Sequence, residues 1–138
     1  MTQEDARTIA IRLATDMAAA LPLQGTPAGC FDTCWGAAHD LNAVLEGHGV
    51  GGKVIMLKGW LGGIDLPQTG NHREWLRMGQ HAWTHWIIRI GDDLYIDPTA
   101  RQFDGRLGHP QIDDHECLAR RWAMIDRVST LPEREIIW

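Results

Sequence analysis

The sequence has little of the basic charge that nucleic-acid-binding proteins use. Its 138 residues carry 13 basic and 18 acidic side chains, a formal net charge of −5, and only two of the basic residues are Lys. The basic residues form no cluster along the chain. Because phosphate binding depends on a basic patch or stripe, a nucleic-acid partner is disfavoured.

Long apolar runs are also missing from the chain. No stretch reaches the roughly 18 apolar residues that a membrane span needs. The N-terminal sequence MTQEDARTIA lacks the basic and then apolar layout of a signal peptide. We therefore expect no membrane association and a cytoplasmic protein, and delivery by a secretion machine that uses no cleaved signal stays open.

Cysteine, Tyr and Phe are scarce, whereas Trp is abundant. Three cysteines, an odd number, do not describe a disulfide framework, and they fit a reducing compartment or a reactive thiol. Seven Trp accompany one Tyr and two Phe, and such large rings often line cores and clefts. The length and the hydrophobic content of 44% predict a single domain over residues 1–138 with one real core.

Two helices and a strand are predicted in the first half of the chain. Thr2 and Asp5 resemble a capping box, and the apolar spacing after them predicts a helix from about residue 3 to 20. A second helix should open near Asp32 or Thr33 and stop at Gly47 and Gly49. The string KVIMLK at 53–58 predicts a short strand.

The second half is predicted to contain a long loop, a hairpin and one more helix. Residues 59–80 are interpreted as loop with a short helix at 71–78, and a loop of this length usually covers a site. We expect it to shape a substrate groove. A third helix is predicted at 112–125, followed by an edge strand in the tail at 129–138.

The hairpin at 85–103 contains a His and an Asp whose relative position can be inferred. Two alternating runs flank the turn-type cluster Gly91-Asp92-Asp93. A three-residue loop makes one face of the hairpin wholly apolar, whereas a two-residue loop would scatter these apolar residues over both faces. That face holds Trp86, Ile88, Ile90, Leu94 and Ile96. The same register makes His85 and Asp97 diagonal neighbours, roughly 5 to 8 Å apart at Cβ.

Cys34 is the first candidate for a nucleophile that this pair could serve. It lies in the first turn of the second predicted helix, where unpaired N–H groups and the macrodipole favour a thiolate. An imidazole near neutral pH can take the thiol proton, and a carboxylate can fix the imidazole tautomer. Cys30, just outside the helix, is the second candidate.

These motifs, CFDTCW at 30–35, HW at 85–86 and IDPTARQF at 96–103, resemble the papain-like cysteine hydrolase superfamily. The likeness is closest to its compact bacterial and phage branches, which include transglutaminase-like and arylamine acetyltransferase-like proteins. The resemblance implies an α+β fold in which a Cys-bearing helix packs on a small antiparallel sheet.

The same resemblance implies a function and a set of site residues. Cys34 would be the nucleophile, His85 the general base and Asp97 the orienting group, acting through a thioester and without a cofactor. The expected activity is that of a peptidase or amidase, a protein deamidase, or a transglutaminase-like acyl transferase, on a protein or peptide substrate. Residues expected at the oxyanion or substrate are Gln24, Trp35 and Trp86.

Two other functions stay open at this stage. Zinc could bind Cys30, Cys34 and His81 or His85, whose spacings fall within zinc ranges. Residues four apart on an extended strand lie roughly 13 Å apart, however, so His81 and His85 could share one metal only if the chain bends between them. The chain could also be a catalytically silent binding or adaptor module of the same fold, with a buried and unreactive thiol.

Overall fold

The structure is a computed structural model, and it describes residues 1–26, 33–62 and 83–128. Three α-helices and five strands make up most of this part of the chain. In chain order they are α1 (Gln3–Ala20), α2 (Cys34–Gly47), β1 (Lys53–Trp60), β2 (Thr84–Ile90), β3 (Leu94–Asp97), β4 (Gln111–Asp113), α3 (His115–Ala119) and β5 (Trp122–Val128), with 3-10 turns at Pro22–Gly25 and Ala100–Gln102.

The five strands form one curled antiparallel sheet in the order β4-β3-β2-β1-β5. The central strands are therefore β1 and the two strands of the predicted hairpin. This arrangement of helices and sheet confirms the predicted α+β class. Among the described residues, no helix combines the length and the apolar character that crossing a bilayer requires.

Both predicted N-terminal helices are confirmed. Thr2 and Asp5 form a reciprocal capping box at the start of α1, with N···O distances of 3.1 and 3.2 Å. Helix α2 starts at Cys34 with Thr33 in the N-cap position and ends at Gly47. The predicted strand at 53–58 is also present, and it continues to Trp60.

The sheet is covered on both faces by apolar side chains. One face packs against α1 and α2, and the other packs around a group of aromatic rings. We call the first the helix-side core, and its buried residues are Ala10, Ala14, Ala38, Leu41, Leu45, Val50, Val54, Met56, Trp86, Ile88, Leu94 and Ile96. We call the second the aromatic core, and its buried residues are Ile55, Leu57, Trp60, Trp83, Ile87, Tyr95, Phe103, Leu118 and Trp122.

The hairpin has the predicted three-residue loop and register. Ile90 pairs with Leu94 and Ile88 pairs with Ile96, and Gly91 has the positive φ of 60° that a left-handed turn position favours. The five residues predicted to share one face all belong to the helix-side core or pack against it. The polar residues of the hairpin therefore lie on the opposite face.

Asn42 connects the helix that carries Cys34 to the sheet. Its side-chain amide donates to the carbonyl of Gly52 at 3.1 Å and accepts from the N–H of Gly52 at 2.9 Å. Gly52 itself lies so close to β2 that a Cβ there would meet the Arg89 carbonyl oxygen at 2.0 Å. These contacts place α2 relative to β1 and β2, and through them Cys34 relative to the sheet.

The predicted third helix at 112–125 is wrong. This segment forms β4, the short helix α3, which Asp114 caps by accepting from the N–H of Cys117 at 2.8 Å, and then β5. The apolar spacing fits a helix, but Trp122 enters the aromatic core while its backbone pairs with that of Trp60 in β1. Long-range pairing has overridden the local pattern.

Three other predictions fall wholly or mostly on parts of the chain outside the described residues. The short helix at 71–78 and most of the groove loop at 59–80 lie within the 63–82 gap. The tail strand at 129–138 follows the last described residue.

Candidate active site

Cys34 is the first residue of α2 and is half-buried. The first N–H groups of a 14-residue helix have no partner within the helix, so they and the macrodipole stabilise negative charge at this end. The side chain of Cys34 packs against the helix-side core. The prediction that Cys34 lies in the first turn of a helix is confirmed.

His85 and Asp97 form a buried pair on neighbouring strands. His85 Nε2 lies 2.7 Å from Asp97 Oδ2, and the two residues are 0% and 6% exposed. The other carboxylate oxygen of Asp97 accepts from the N–H of Thr99 at 3.0 Å, as an Asp that opens a turn commonly does. The carboxylate therefore has one oxygen fixed by the backbone and the other directed at the imidazole.

The second nitrogen of the His85 ring also has a partner, which sequence reasoning missed. Gln102 Nε2 lies 3.0 Å from His85 Nδ1 and 3.4 Å from Thr99 Oγ1. Thr99 and Gln102 are both 0% exposed. They follow β3 in a turn and a 3-10 segment, where no periodic pattern indicates which side chains point inward.

Aromatic rings enclose the imidazole of His85. The ring of Trp122 stacks on it at an interplanar angle of 12° with 5.6 Å between centroids, and Phe103 meets it edge-on at 4.7 Å. Both are residues of the aromatic core. These rings hold the imidazole plane and exclude water, and the face of Trp122 favours a cation.

The protonation of His85 depends on three neighbouring effects. Burial alone would lower its pKa, but the charge and hydrogen bond of Asp97, together with a hydrogen bond and charge from Cys34, raise it from 6.5 to about 10. Cys34 therefore lies close enough to the imidazole to contribute to the pKa of His85. The structure thus brings together Cys34, His85 and Asp97, which the sequence had placed on three separate elements.

We expect this pair to make stability depend on pH. Since the pKa of His85 in the folded state lies above 6.5, its contribution is complete below pH 6.5 and is lost as the pH rises towards 10. Across that window the free energy of unfolding should fall by up to about 1.4 kcal/mol per pH unit. Urea unfolding of wild type and Asp97→Asn at several pH values measures this, and equal pH dependence in both proteins would contradict it.

The other predicted site residues are less closely connected to this group. Gln24 lies half-buried in the first 3-10 turn, whose Gly25 carbonyl accepts from Arg101 Nη1 at 3.1 Å. Trp35 packs against the helix-side core with its ring 4.4 Å from that of His39. Its buried Nε1 has no hydrogen-bond partner within the described part of the chain. The contacts of Gln24 with an oxyanion and of Trp35 with a substrate stay predictions.

The predicted substrate contact of Trp86 is wrong. Trp86 is 2% exposed and belongs to the helix-side core, so it offers no surface to a substrate. Successive residues of a strand point to opposite faces, and Trp86 therefore lies on the face away from its neighbour His85.

The zinc hypothesis gains no support from the part of the chain that the structure describes. Cys30 and His81 lie outside the described residues. Within residues 1–26, 33–62 and 83–128, no group of three or more His, Cys, Asp or Glu side chains could hold a metal ion. Both ring nitrogens of His85 already contact protein atoms, so a metal could bind there only after one of these contacts broke.

Comparisons with protein-family models, with curated proteins and with solved structures found no match to this chain. The interpretation of the site therefore depends on its own geometry and chemistry.

Proposed function

We propose that this protein is a cysteine-dependent acyl-transfer enzyme of papain-like architecture: a peptidase or amidase, a protein deamidase, or a transglutaminase-like transferase. One observation carries the proposal. A thiol at a helix start lies close enough to a buried imidazole to help raise its pKa, and Nε2 of that imidazole lies 2.7 Å from a carboxylate. Nucleophile, base and orienting group in this order are the arrangement used for covalent acyl transfer.

In the first half of the reaction, Cys34 gives its proton to Nδ1 of His85, and its sulfur attacks the acyl carbonyl carbon. The tetrahedral intermediate then breaks its bond to the leaving amine, which takes the proton from His85, and a thioester remains on Cys34. Asp97 stays ionised and stabilises the imidazolium between these two steps.

In the second half, water or another acceptor attacks the thioester while His85 takes the acceptor's proton. The carbon–sulfur bond breaks and the proton returns to the Cys34 sulfur. The choice of acceptor separates hydrolysis and deamidation from transfer to an amine. The backbone N–H of Cys34 and the side-chain amide of Gln24 are the proposed donors to the oxyanion.

The layout of the described elements supports a papain-like architecture. A helix that begins with the nucleophile packs against a small antiparallel sheet, and adjacent strands of that sheet carry the base and the carboxylate. The chain order of Cys34, His85 and Asp97 is also the order that the resemblance implies. We expect the substrate to be an amide or another acyl group of a protein or peptide.

Trapping an acyl-enzyme tests the proposal without knowledge of the natural substrate. An activated ester such as p-nitrophenyl acetate should give a burst of one equivalent of p-nitrophenol. Acid-quenched protein should then carry one acetyl group on the peptide that contains Cys34, as mass spectrometry of a digest would show. Protein unfolded in urea is the control for ordinary thiol reactivity. Acetylation spread evenly over the three cysteines, at the same rate in folded and unfolded protein, would overturn the proposal.

A silent binding module is the second candidate, and the burial of His85 favours it. The ring is 0% exposed and both of its nitrogens contact protein atoms, as they would in a purely structural histidine. Such a module would keep its fold and show no burst and no acyl adduct with any ester or peptide.

A further inference from the structure

Gln102 contacts the imidazole of His85 but has no role in the reaction steps given above. It lies fully buried at the end of the 3-10 segment Ala100–Gln102, a few residues after Asp97. Its amide nitrogen is 3.0 Å from Nδ1 of His85, the nitrogen that must take the proton of Cys34. The short segment from Asp97 to Gln102 therefore contacts both nitrogens of the same ring, one from each side.

The chemistry of this contact determines the role of each atom. An amide nitrogen can donate hydrogen bonds but cannot accept them. When the ring is neutral, this placement of the amide makes Nδ1 of His85 the acceptor and puts the ring proton on Nε2, where it points to Asp97. This is the neutral tautomer that a base needs in order to take a proton from Cys34.

The other polar neighbours of His85 raise its proton affinity. Asp97 and Cys34 both favour the protonated ring, and a base that stays protonated at neutral pH cannot accept another proton. A hydrogen bond donated to Nδ1 favours the neutral ring, because protonation of Nδ1 would place two donors against each other. Gln102 therefore offsets part of the effect of Asp97.

We propose that Gln102 is a positioning residue for the proposed acyl transfer, which favours the neutral form of His85, with Nδ1 unprotonated, by donating its amide N–H to that nitrogen until Cys34 gives up its proton. When Nδ1 takes the proton of Cys34, this hydrogen bond is lost, and that loss is the reason that Gln102 favours the neutral ring. The inference rests on the proposed function for its role in catalysis, but the contact itself can be tested separately.

Titration of the His85 ring by NMR, in protein labelled at the histidine imidazoles, tests the contact directly. All proteins carry Cys34→Ala, so the result does not depend on whether the site is catalytic. Gln102→Asn retains an amide one methylene shorter, which removes the bond and keeps the surroundings polar. We expect it to raise the proton affinity of His85 by up to about tenfold, which is the value of one neutral hydrogen bond.

The control and a second variant make the outcome decisive. Gln111→Leu removes a partly buried glutamine that contacts Asp113 and Gly108, and it should leave the His85 titration unchanged. If Gln102→Asn does not fold, Gln102→Leu is measured instead with the same expected direction. An unchanged or lowered proton affinity would overturn the proposal, since it would mean that Gln102 presents its oxygen or does not affect the ring.

Kinetic measurements on proteins that retain Cys34 distinguish the proposed acyl transfer from the proposed role of Gln102. If Gln102 acts as inferred, the acidic limb of the pH profile for acyl-enzyme formation, which reports deprotonation of the base, should move to higher pH in Gln102→Asn. If the His85 titration shifts in Gln102→Asn but wild type forms no acyl-enzyme, the Gln102 contact is supported and the proposed enzymatic activity is overturned. If wild type forms the acyl-enzyme but the titration does not shift, the enzymatic activity is supported and the role of Gln102 is overturned.

Discussion

Cys34→Ala is expected to abolish labelling of the protein by a thiol-directed acyl electrophile, whereas Cys30→Ala leaves most of the labelling intact. The reason is the environment of the sulfur. Cys34 lies at the positive end of a helix and acts on the imidazole of His85. The measurement is the number of labels per protein at neutral pH, with the labelled peptide identified by mass spectrometry.

Cys117 provides the control for this experiment. It is a half-exposed thiol whose pKa is raised, first by its hydrogen bond with Asp114 and then by burial, so it should react slowly at neutral pH. Cys117→Ala should therefore label like wild type. If Cys30→Ala loses the label and Cys34→Ala keeps it, the nucleophile has been assigned to the wrong cysteine.

His85→Ala and Asp97→Asn are both expected to lower the rate of acyl transfer by about 10²–10⁴-fold with the fold intact. Asp97→Asn is the more specific test, because it changes one atom of the group that orients His85. Its remaining oxygen can still accept from Thr99, but its amide group then faces Nε2 of His85 as a donor. The ring proton must move to Nδ1, and this tautomer cannot take the proton of Cys34.

The control for these variants changes a carboxylate outside the site. Asp104→Asn weakens an ion pair with the exposed Arg106 and should leave the rate within about twofold of wild type, because neither residue contacts His85 or Asp97 in a described hydrogen bond. Circular dichroism and the urea midpoint verify that each variant folds. Wild-type rates in both His85→Ala and Asp97→Asn would exclude a role for the two residues in catalysis.

The sequence was most informative where a pattern is local. A three-residue turn and an alternation with period two determine the register of the hairpin, and that register alone brings His85 next to Asp97. A capping residue and a terminal Gly likewise indicated both ends of the helix that carries Cys34. These elements could be predicted because each depends on residues that are close in the chain.

Other parts of the fold and the site depend on distant contacts that no local pattern reports. Trp122 pairs with Trp60, far away in the sequence, so its segment is a strand although its spacing fits a helix. Gln102 reaches His85 from an irregular turn. The wrong prediction for Trp86 had another origin. Strand alternation already placed this residue on the apolar face, and only the family resemblance suggested that it contacts a substrate.

In the proposed enzyme the thiol of Cys34 and the imidazole of His85 act as one unit. The most direct measurement is the rate of alkylation by iodoacetamide at neutral pH, in proteins whose only cysteine is Cys34, with and without His85→Ala. We predict that Cys34 reacts much more slowly once the imidazole is removed, because the thiol then has no base to take its proton. Equal rates in the two proteins would contradict the claim.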